Sequence, residues 1–308
     1  MSALRHERHL SEHTLANYER DLLALRAAAG GKPLAGLQQH QIRSFAARMH
    51  AQGLSGASIA RRLSAWRSFY RWLTRRTPGA QAAQLPASNP ADGVRAPKRA
   101  KRLPKALSVE HAVALAETVP EGGMGARDHA ICELFYSSGL RLTELVRLDC
   151  RYTKSGAGET AHESSSWLDL GSAEVTVKGK GGKTRSVPVG SRALEALRAW
   201  LAARGEFERP GGEPALFLSA KGARISPRTV QERIKALARA AGIPVDVHPH
   251  VLRHSFATHV LQSSGDLRAV QDMLGHASIA ATQVYTTLDF QHLSKVYDAA
   301  HPRARRKT

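Results

Sequence analysis

The chain has 308 residues, and its 45 Lys and Arg residues against 26 Asp and Glu give a formal net charge of +19. The length suits two domains, each with its own core, and so strong a positive charge indicates a polyanionic partner, most often nucleic acid. Charge alone leaves a ribosome-associated or merely basic protein as the alternative.

Cysteine content and hydropathy indicate the compartment. Cys132 and Cys150 are the only cysteines, which is too few for a disulfide framework or a cysteine zinc cluster and suits a reducing cytosol. The N-terminus lacks an apolar segment of signal-peptide length, and no run of about 18 apolar residues occurs. We therefore expect a cytoplasmic protein that is not bound to a membrane.

Three apolar patterns at helical spacing predict helices over residues 11–30, 38–50 and 57–76. Outside its apolar stripe, the third helix carries arginines that have no acidic partner on the same helix. Phosphate contacts explain such a set better than solvation alone. The arginines expected to contact DNA are Arg61, Arg62, Arg67 and Arg71.

Periodicity stops over residues 77–107, a proline-rich segment whose second half is also basic. Prolines keep such a segment extended, so we interpret it as the connection between two domains. The predicted boundaries are an N-terminal domain over residues 1–92, a basic linker over 93–107 and a C-terminal domain over 108–308.

The C-terminal part combines helical patterns with alternating segments that are typical of strands in a small antiparallel sheet. Ser108 is a predicted N-cap, and Ser226, which precedes a proline, is another. The predicted helices cover residues 108–118, 127–137, 191–204 and 226–241, the predicted strands cover 167–170, 174–177 and 185–189, and a short extended segment covers 215–219.

Arg141 follows Gly139, which is expected to end the helix over residues 127–137. An arginine held on a tight turn between two buried helices has a fixed position, as a phosphate clamp requires. A structural ion pair with Glu144 is the alternative, and Glu144 is also expected to steady the turn.

A glycine-rich turn over residues 178–183 joins two of the strands and carries Lys180 and Lys183. Its glycines allow a tight reversal and close approach to a ligand. A flexible lysine at the tip can deliver a proton to a leaving oxygen, although a turn lysine is usually just solvated.

The stretch over residues 248–285 holds the most informative set of side chains. His250 and Arg253 are three residues apart, so they share one face of a helix, and the planar guanidinium matches phosphate oxygens. Zinc binding by His250 and His254 is the alternative. The glutamate of the zinc-protease motif is absent, and Arg253 lies between the two histidines.

A second helix, over residues 267–274, is expected to begin after the cap Asp266 and to end at Gly275. His276 follows at once, and Tyr285 comes nine residues later. The side chains predicted to lie on the buried side of this helix are Leu267, Val270 and Leu274.

His-x-x-Arg, then Leu-Gly-His, then a tyrosine nine residues on resembles the C-terminal signature of the tyrosine recombinases of the lambda-integrase family. The tail over residues 285–304 is similar to that of the Xer-type members. The resemblance implies a mainly α fold with a small antiparallel β-sheet. An N-terminal helical, SAM-like core-binding domain and a C-terminal α+β catalytic domain would form a clamp around DNA.

The resemblance also implies the chemistry. Tyr285 would be the nucleophile, Arg141 and Arg253 would neutralise the phosphate, and His250 would be the general base. His276 would stabilise the phosphate through a hydrogen bond, and Lys180 would be the general acid. No metal or other cofactor is implied. The further DNA contacts that the resemblance suggests, some of them to base edges, are Lys183, Arg228, Gln231 and Arg233.

The chain departs from the Xer-type pattern over residues 150–166, where those proteins have a shorter link before the first strand. Because the insert is rich in Ser, Gly and Thr, we expect a flexible surface loop that is dispensable for chemistry. The terminal residues 289–299 are expected to form a helix that docks on a neighbouring protomer, with packing on its own domain as the alternative.

The partners implied by the resemblance are double-stranded DNA with a dif-like site and a XerD-like recombinase, two copies of each forming a cyclic heterotetramer, with a DNA translocase as a further candidate. The expected outcome is resolution of chromosome and plasmid dimers before cell division. Two rivals stay open. One is an integrase, a transposon recombinase or a type IB topoisomerase, and the other is a non-catalytic DNA-binding accessory protein.

Overall fold

The structure is a computed structural model that describes residues 12–76, 88–97, 106–156, 162–179, 184–275 and 287–304. The chain divides into two compact units, Met1–Arg102 and Leu103–Thr308. Within the described part of the chain, no helix has the length and apolar character needed to cross a membrane.

The N-terminal unit is helical, and its predicted helices are confirmed. Their apolar stripes meet in one core, in which Leu25, Ile42, Ile59, Leu63 and Trp66 are fully buried. The elements are α1 (Glu12–Ala29), a 3-10 helix (Leu34–Gly36), α2 (Gln39–Ala51) and α3 (Gly56–Arg76).

Residues 88–97 pack on this N-terminal core, which differs from the expected start of the linker at residue 93. Ala91 and Val94 are buried. Arg67 of α3 holds both, because its Nε donates to the carbonyl oxygen of Ala91 at 3.0 Å and its Nη2 to that of Val94 at 2.5 Å. These residues are therefore part of the N-terminal unit, and residues 98–105 lie outside the described part of the chain.

Three helices of the C-terminal unit begin at caps that the sequence predicts, whereas the helix expected over residues 127–137 begins earlier, at Gly122. Ser108, Ser226 and Asp266 each accept a hydrogen bond from a backbone N–H in the first turn that follows, at 3.2, 3.1 and 2.8 Å. The helices are α4 (Val109–Glu117), α5 (Gly122–Ser138), α6 (Leu142–Val146), α7 (Ser191–Arg204), a 3-10 helix (Gly205–Phe207), α8 (Pro227–Ala240), α9 (Pro249–Ser264), α10 (Leu267–Leu274) and α11 (Thr287–Ala300).

The C-terminal unit contains six described strands. They are β1 (Leu148–Asp149), β2 (Lys154–Ser155), β3 (His162–Glu163), β4 (Ser166–Asp169), β5 (Glu174–Lys178) and β6 (Thr184–Pro188). The main sheet has the strand order β1-β4-β5-β6, and β2 and β3 form a separate antiparallel pair. The predicted antiparallel arrangement is confirmed for β4, β5 and β6, whereas β1 joins β4 in parallel and was not expected.

The insert over residues 150–166 is not the plain surface loop that its composition suggested. Besides the β2–β3 pair, it contributes two side chains to a buried carboxylate, that of Asp149. His162 Nε2 lies 2.9 Å from Asp149 Oδ2, and Ser164 Oγ donates to the same oxygen at 2.7 Å. Arg224 donates to the other oxygen at 2.6 Å. The described parts of the insert are therefore anchored to the unit.

The C-terminal helix α11 packs on its own unit, against α9 and β6. Tyr297 is buried, and its hydroxyl lies 2.7 Å from Ser137 Oγ. His301 Nε2 lies 2.9 Å from the carbonyl oxygen of Tyr136, and Arg303 pairs with Glu133. The structure thus shows the packing within one chain that was the alternative for residues 289–299, because the described part of the segment buries polar and aromatic groups against its own unit.

Candidate active site

Arg141 is held at the junction of α5 and α6. Gly139 ends α5 in the left-handed conformation with φ of 55°, as predicted, and Arg141 is the N-cap of α6. The backbone N–H of Arg141 donates to Glu144 Oε2 at 2.7 Å, and its Nη1 donates to Glu144 Oε1, also at 2.7 Å. The alternative ion pair with Glu144 is therefore present, yet 37% of the Arg141 side chain is exposed and accessible to a ligand.

Glu144 binds a second arginine, Arg185 of β6, which was not singled out in the sequence. Arg185 Nη1 and Nη2 donate to the two carboxylate oxygens at 2.9 Å each, in a bidentate pair that is almost completely buried. Burial alone would raise the pKa of Glu144. The hydrogen bonds and charge of Arg185, and then the hydrogen bonds from Arg141, outweigh burial and lower the pKa of Glu144. Glu144 is thus a buried anion shared by two cations.

Arg253 lies on α9 with its guanidinium buried between two carbonyl oxygens. Nη1 donates to Gly139 at 2.5 Å, and Nη2 donates to Leu274 at 2.6 Å. Arg253 Nη1 is also 3.9 Å from Glu144 Oε2. Burial, followed by the charge of Arg141, lowers the pKa of Arg253 to about 10, so the side chain stays protonated at neutral pH.

The C-terminal end of α10 gathers three arginines. The carbonyl oxygens of three successive residues each accept from a different guanidinium. Met273 accepts from Arg185 Nε at 2.9 Å and Leu274 from Arg253 Nη2 at 2.6 Å. Gly275 accepts from Arg141 Nη2 at 3.1 Å. This arrangement satisfies carbonyls that a helix end leaves unpaired and fixes the chain directly before residue 276.

The prediction for the buried face of α10 is correct for Val270 and Leu274 and wrong for Leu267, which is 54% exposed. Leu267 is the first residue of the helix, so it lies at the end of the face that Val270 and Leu274 share and extends beyond the core. Ala269 and Met273 fill the buried face together with Val270 and Leu274.

His250 occupies the first turn of α9 at the exposed rim of this region. Its ring is nearly parallel to that of His248, with the two centroids 6.3 Å apart. Burial, and then the charges of His248, Arg253 and His254, lowers the pKa of His250. The imidazole is therefore neutral at pH 7 and able to accept a proton. No cluster of three metal-ligating side chains occurs among the described residues.

Four of the predicted site residues lie outside the described part of the chain. They are Lys180, Lys183, His276 and Tyr285. The structure thus brings Arg141 and Arg253 together at Glu144, with His250 on the same helix as Arg253. Sequence reasoning missed Arg185. The feature of the sequence that could have identified it is a charged residue at an inward position of an alternating strand, with Val187 on the same side.

The four arginines of α3 that were expected to contact DNA have acidic partners from outside the helix, contrary to the sequence-based argument for phosphate contacts. Arg61 pairs with the buried Asp21 of α1, and Arg62 Nε lies 3.6 Å from the same carboxylate. Arg71 Nη2 lies 3.8 Å from Asp92. Arg67 binds the backbone of residues 91 and 94, so its guanidinium holds the fold together.

The arginines of α8 differ from each other in exposure. Arg228 is 87% exposed and, among the residues that the structure describes, pairs along its own helix with Glu232 at 2.8 Å. Arg233 is half-exposed and pairs with Asp128, a buried carboxylate that also binds Arg127. Arg228 is therefore more available to an external ligand than Arg233.

Comparison with known proteins gives a family for both units. Residues 105–292 match the model of the phage integrase family, and residues 1–77 match that of the phage integrase N-terminal SAM-like domain. The tyrosine recombinase XerC 1 of Ralstonia nicotianae is 58% identical over 316 residues, which cover 100% of this chain and 93% of the relative. The tyrosine recombinase XerC of Alcanivorax borkumensis is 47% identical over 309 residues, which cover 100% of this chain and 94% of the relative.

Solved structures show the same fold at low identity. The XerH site-specific recombinase, in a post-cleavage complex with a palindromic difH substrate, is 21% identical with a TM-score of 0.68, covering 94% of this chain and 81% of that one. A lambda integrase dimer bound to a COC′ core site is 18% identical with a TM-score of 0.62, covering 91% of this chain and 94% of that one.

The expected family and fold class are thereby confirmed, and the reading of the chain as a non-catalytic accessory protein is set aside. The family model spans more than half of the chain, and the relatives named XerC cover all of it. The chain therefore belongs to the tyrosine recombinases of the phage integrase family, enzymes that cleave DNA strands and rejoin them.

Proposed function

We propose that the Tyr285 hydroxyl attacks a scissile phosphate of DNA, forming a 3′-phosphotyrosyl ester and releasing a 5′ hydroxyl. The ester replaces one phosphodiester bond with another, so the 5′ hydroxyl of a second strand can reverse the step without ATP. The observation that carries the proposal is the convergence of Arg141 and Arg253 on one buried carboxylate, Glu144, at the end of α10.

Arg141 and Arg253 neutralise the charge on the non-bridging oxygens of the pentacoordinate transition state. Both guanidinium groups are held by carbonyl oxygens and by Glu144 before any DNA is bound. Fixed cations need no reorganisation when negative charge develops, which makes them more effective than mobile ones. The exposed part of Arg141 gives the phosphate access to the pair.

The proton transfers require a base and an acid, because a tyrosine with a pKa of about 10 is a weak nucleophile at neutral pH. His250, whose pKa is lowered, takes the phenolic proton from Tyr285. Lys180 gives a proton to the departing 5′ oxygen, and His276 hydrogen-bonds a phosphate oxygen. The roles of Lys180, His276 and Tyr285 rest on the family resemblance.

DNA contacts are proposed for the arginines that the structure leaves accessible. Arg228 is the strongest of these, because its side chain is largely exposed. Arg71 is exposed over more than half of its side chain and has only a long ion pair. Arg61, Arg62 and Arg233 would share their guanidinium groups between DNA and an internal carboxylate, and Lys183 is proposed by resemblance. Arg67 is the weakest, since both of its bonded nitrogens face the protein backbone.

The biological role that we propose is that of the XerC relatives, one of which shares 58% identity with this chain over its full length. The chain would recombine a dif-like site together with a XerD-like partner, as a cyclic heterotetramer of two plus two. It would act in the cytoplasm, resolve chromosome and plasmid dimers before division, and respond to a DNA translocase.

A nicked suicide substrate that carries the dif sequence of the source genome tests both the proposed nucleophile, Tyr285, and the proposed XerC-like role. The nick lets a short 5′-hydroxyl fragment diffuse away, so the cleaved chain stays joined to DNA and migrates as a shifted band on a denaturing gel. The reaction is run with and without a XerD-like partner, with EDTA, and with the Tyr285→Phe variant as the matched control.

We expect a covalent band that is insensitive to EDTA and absent for Tyr285→Phe. A band on another recombination site but not on dif would overturn the XerC-like role and assign the chain to the integrase type. Covalent joining that persists in Tyr285→Phe would overturn the proposed nucleophile.

A further inference from the structure

Arg185 is a buried cation on the inward side of a strand. It is the second residue of β6, opposite Val177 of β5, and about 5% of its side chain is exposed. An unpaired charge in such a position would destabilise the fold strongly, so its partners must offset the loss of hydration. Each partner belongs to a different segment of the candidate active site.

The first partner is the carboxylate that organises Arg141. Both oxygens of Glu144 accept from Arg185 at 2.9 Å, while the same two oxygens accept from the Nη1 and the backbone N–H of Arg141 at 2.7 Å. A bidentate fork fixes the plane of a carboxylate as well as its position. The orientation of the Arg141 guanidinium therefore depends on Arg185.

The second partner is the end of α10. Arg185 Nε donates to the carbonyl oxygen of Met273. The next two carbonyl oxygens along the chain bind the other two arginines, that of Leu274 binding Arg253 and that of Gly275 binding Arg141. A Cβ on Gly275 would lie 3.0 Å from Arg185 Nη1. Arg185 thus packs directly on the turn that precedes residue 276.

We propose that Arg185 is a positioning residue for DNA cleavage. It holds Glu144 and the end of α10 so that Arg141 and Arg253 contact the same phosphate. The inference rests on the roles proposed above for these two arginines. A lysine at position 185 would keep the charge but lose the fork, because one ammonium group cannot bind both Glu144 oxygens and Met273 in the same plane.

The test is the single-turnover rate of covalent complex formation by Arg185→Lys, with saturating protein and normalised to the folded fraction. Misplacement of a phosphate clamp by about 1 Å costs on the order of 100-fold in rate. We expect a loss of this size, while the affinity for the uncleaved site changes by less than about twofold.

Arg204→Lys is the matched control. Arg204 is also buried in the C-terminal unit, where it pairs with Glu208 at 2.9 Å and with the carbonyl oxygen of Ala215. If Arg185 only stabilises the fold, the two variants will have equal rates per folded molecule. That result, or a rate for Arg185→Lys equal to that of the wild-type chain, would overturn the inference.

A substrate with a methylphosphonate at the scissile position distinguishes misplacement of Arg141 and Arg253 from a nonspecific loss of activity in the variant. Its transition state carries one negative charge less and depends less on the two arginines. We expect the rate loss of Arg185→Lys to be smaller on this substrate than on the phosphate, and equal losses on both would contradict the inference. Arg185→Gln, which buries no charge, replaces the lysine variant in the same assay if the latter does not fold.

The wild-type chain and Tyr285→Phe, run in parallel, distinguish a failure of the proposed function from a failure of the inference about Arg185. Absence of wild-type cleavage would overturn the proposed function and this inference with it. Wild-type cleavage together with an unaffected Arg185→Lys variant would overturn this inference alone.

Discussion

At the scale of single residues, Glu144 is the group that links the arginines of the candidate site to one another. One carboxylate accepts four hydrogen bonds from two arginines and lies 3.9 Å from a third. The cluster has more positive than negative charge, so it is ready to receive an anion. In the proposed function, a phosphate of DNA supplies the negative charge that the cluster lacks.

Glu144→Gln is therefore expected to be costly in both stability and activity. The amide cannot neutralise Arg185, and removal of one partner of a buried pair destabilises a protein by about 3 kcal/mol or more. The free energy of unfolding, measured with urea, should fall by this amount, and the single-turnover cleavage rate should fall with it.

Glu232→Gln provides the control for Glu144→Gln. Glu232 is 60% exposed and pairs with Arg228 on the surface of α8. Loss of such a pair should cost less than about 0.5 kcal/mol. Equal destabilisation by the two variants would contradict the central place of Glu144 in the site.

At the scale of secondary-structure elements, local signals predicted most of the fold. Caps at Ser108, Ser226 and Asp266 and stops at Gly139 and Gly275 were predicted because each acts through its own neighbours in the chain. The family motif likewise indicated Arg141, His250 and Arg253 as site residues.

The features that sequence reasoning missed depend on contacts between residues far apart in the chain. The pairing of Arg185 with Glu144, the anchoring of the insert at Asp149 and the packing of Val94 on the N-terminal core are of this kind. Arg61 looked unpaired for the same reason, since its partner Asp21 lies on another helix. Spacing within one helix carries no information about such partners.

Gly139 and Gly265 both end helices in the left-handed conformation, with φ of 55° and 67°. A Cβ at Gly139 would lie 2.3 Å from Phe256 Cδ1, whereas a Cβ at Gly265 would meet nothing within 4 Å. Gly265→Ala should therefore cost only the backbone strain, about 1 kcal/mol. Gly139→Ala should cost about 3 kcal/mol, because the buried Phe256 ring must also move.

Chemical denaturation of the two glycine variants measures this difference. The difference between them isolates the steric term, since the backbone strain is common to both. If Gly139→Ala proved no more destabilising than Gly265→Ala, the close packing of α5 on α9 would be wrong.

The docked C-terminal segment makes stability depend on pH. Burial lowers the pKa of His301 from 6.5 to about 3, and its neutral ring stacks on Tyr297. Below pH 6.5 the unfolded chain binds a proton that the folded chain does not, so stability falls as pH falls. By about pH 5, His301 should account for a loss of about 2 kcal/mol.

His301→Gln tests this pH dependence, because glutamine keeps hydrogen-bonding groups and does not titrate. Unfolding free energies measured from about pH 7 to pH 5 should decline less steeply in the variant than in the wild-type chain. Part of the decline will persist, since the pKa of the buried His259 is also lowered. Identical slopes for the two proteins would show that His301 is not held neutral by docking.

At the scale of the whole molecule, the net charge of +19 indicated nucleic acid but not which cations meet it. Many of the arginines are engaged within the fold, as Arg67, Arg185, Arg204 and Arg303 show. Composition therefore overstates the number of phosphate contacts. Exposure in the structure distinguishes the arginines that are available to DNA from those that stabilise the fold.

Arg67 and Arg71 lie one turn apart on α3 and should behave differently. Arg67→Gln should destabilise the N-terminal unit by about 1–2 kcal/mol, because two carbonyl oxygens lose their donor. Arg71→Gln should leave stability nearly unchanged and reduce the slope of log K against log salt by about 1. Urea unfolding and salt-dependent DNA binding measure the two effects, and a reversed pattern would refute the assignment.

Identification of the amino acid that carries the DNA tests the central claim most directly. The covalent complex formed on the suicide substrate is digested with protease and nuclease, and the modified peptide is sequenced by mass spectrometry. We predict a nucleotide joined through its 3′ phosphate to Tyr285. A nucleotide on any other residue, or one joined through a 5′ phosphate, would contradict both the proposed nucleophile and the roles assigned to the arginines around Glu144.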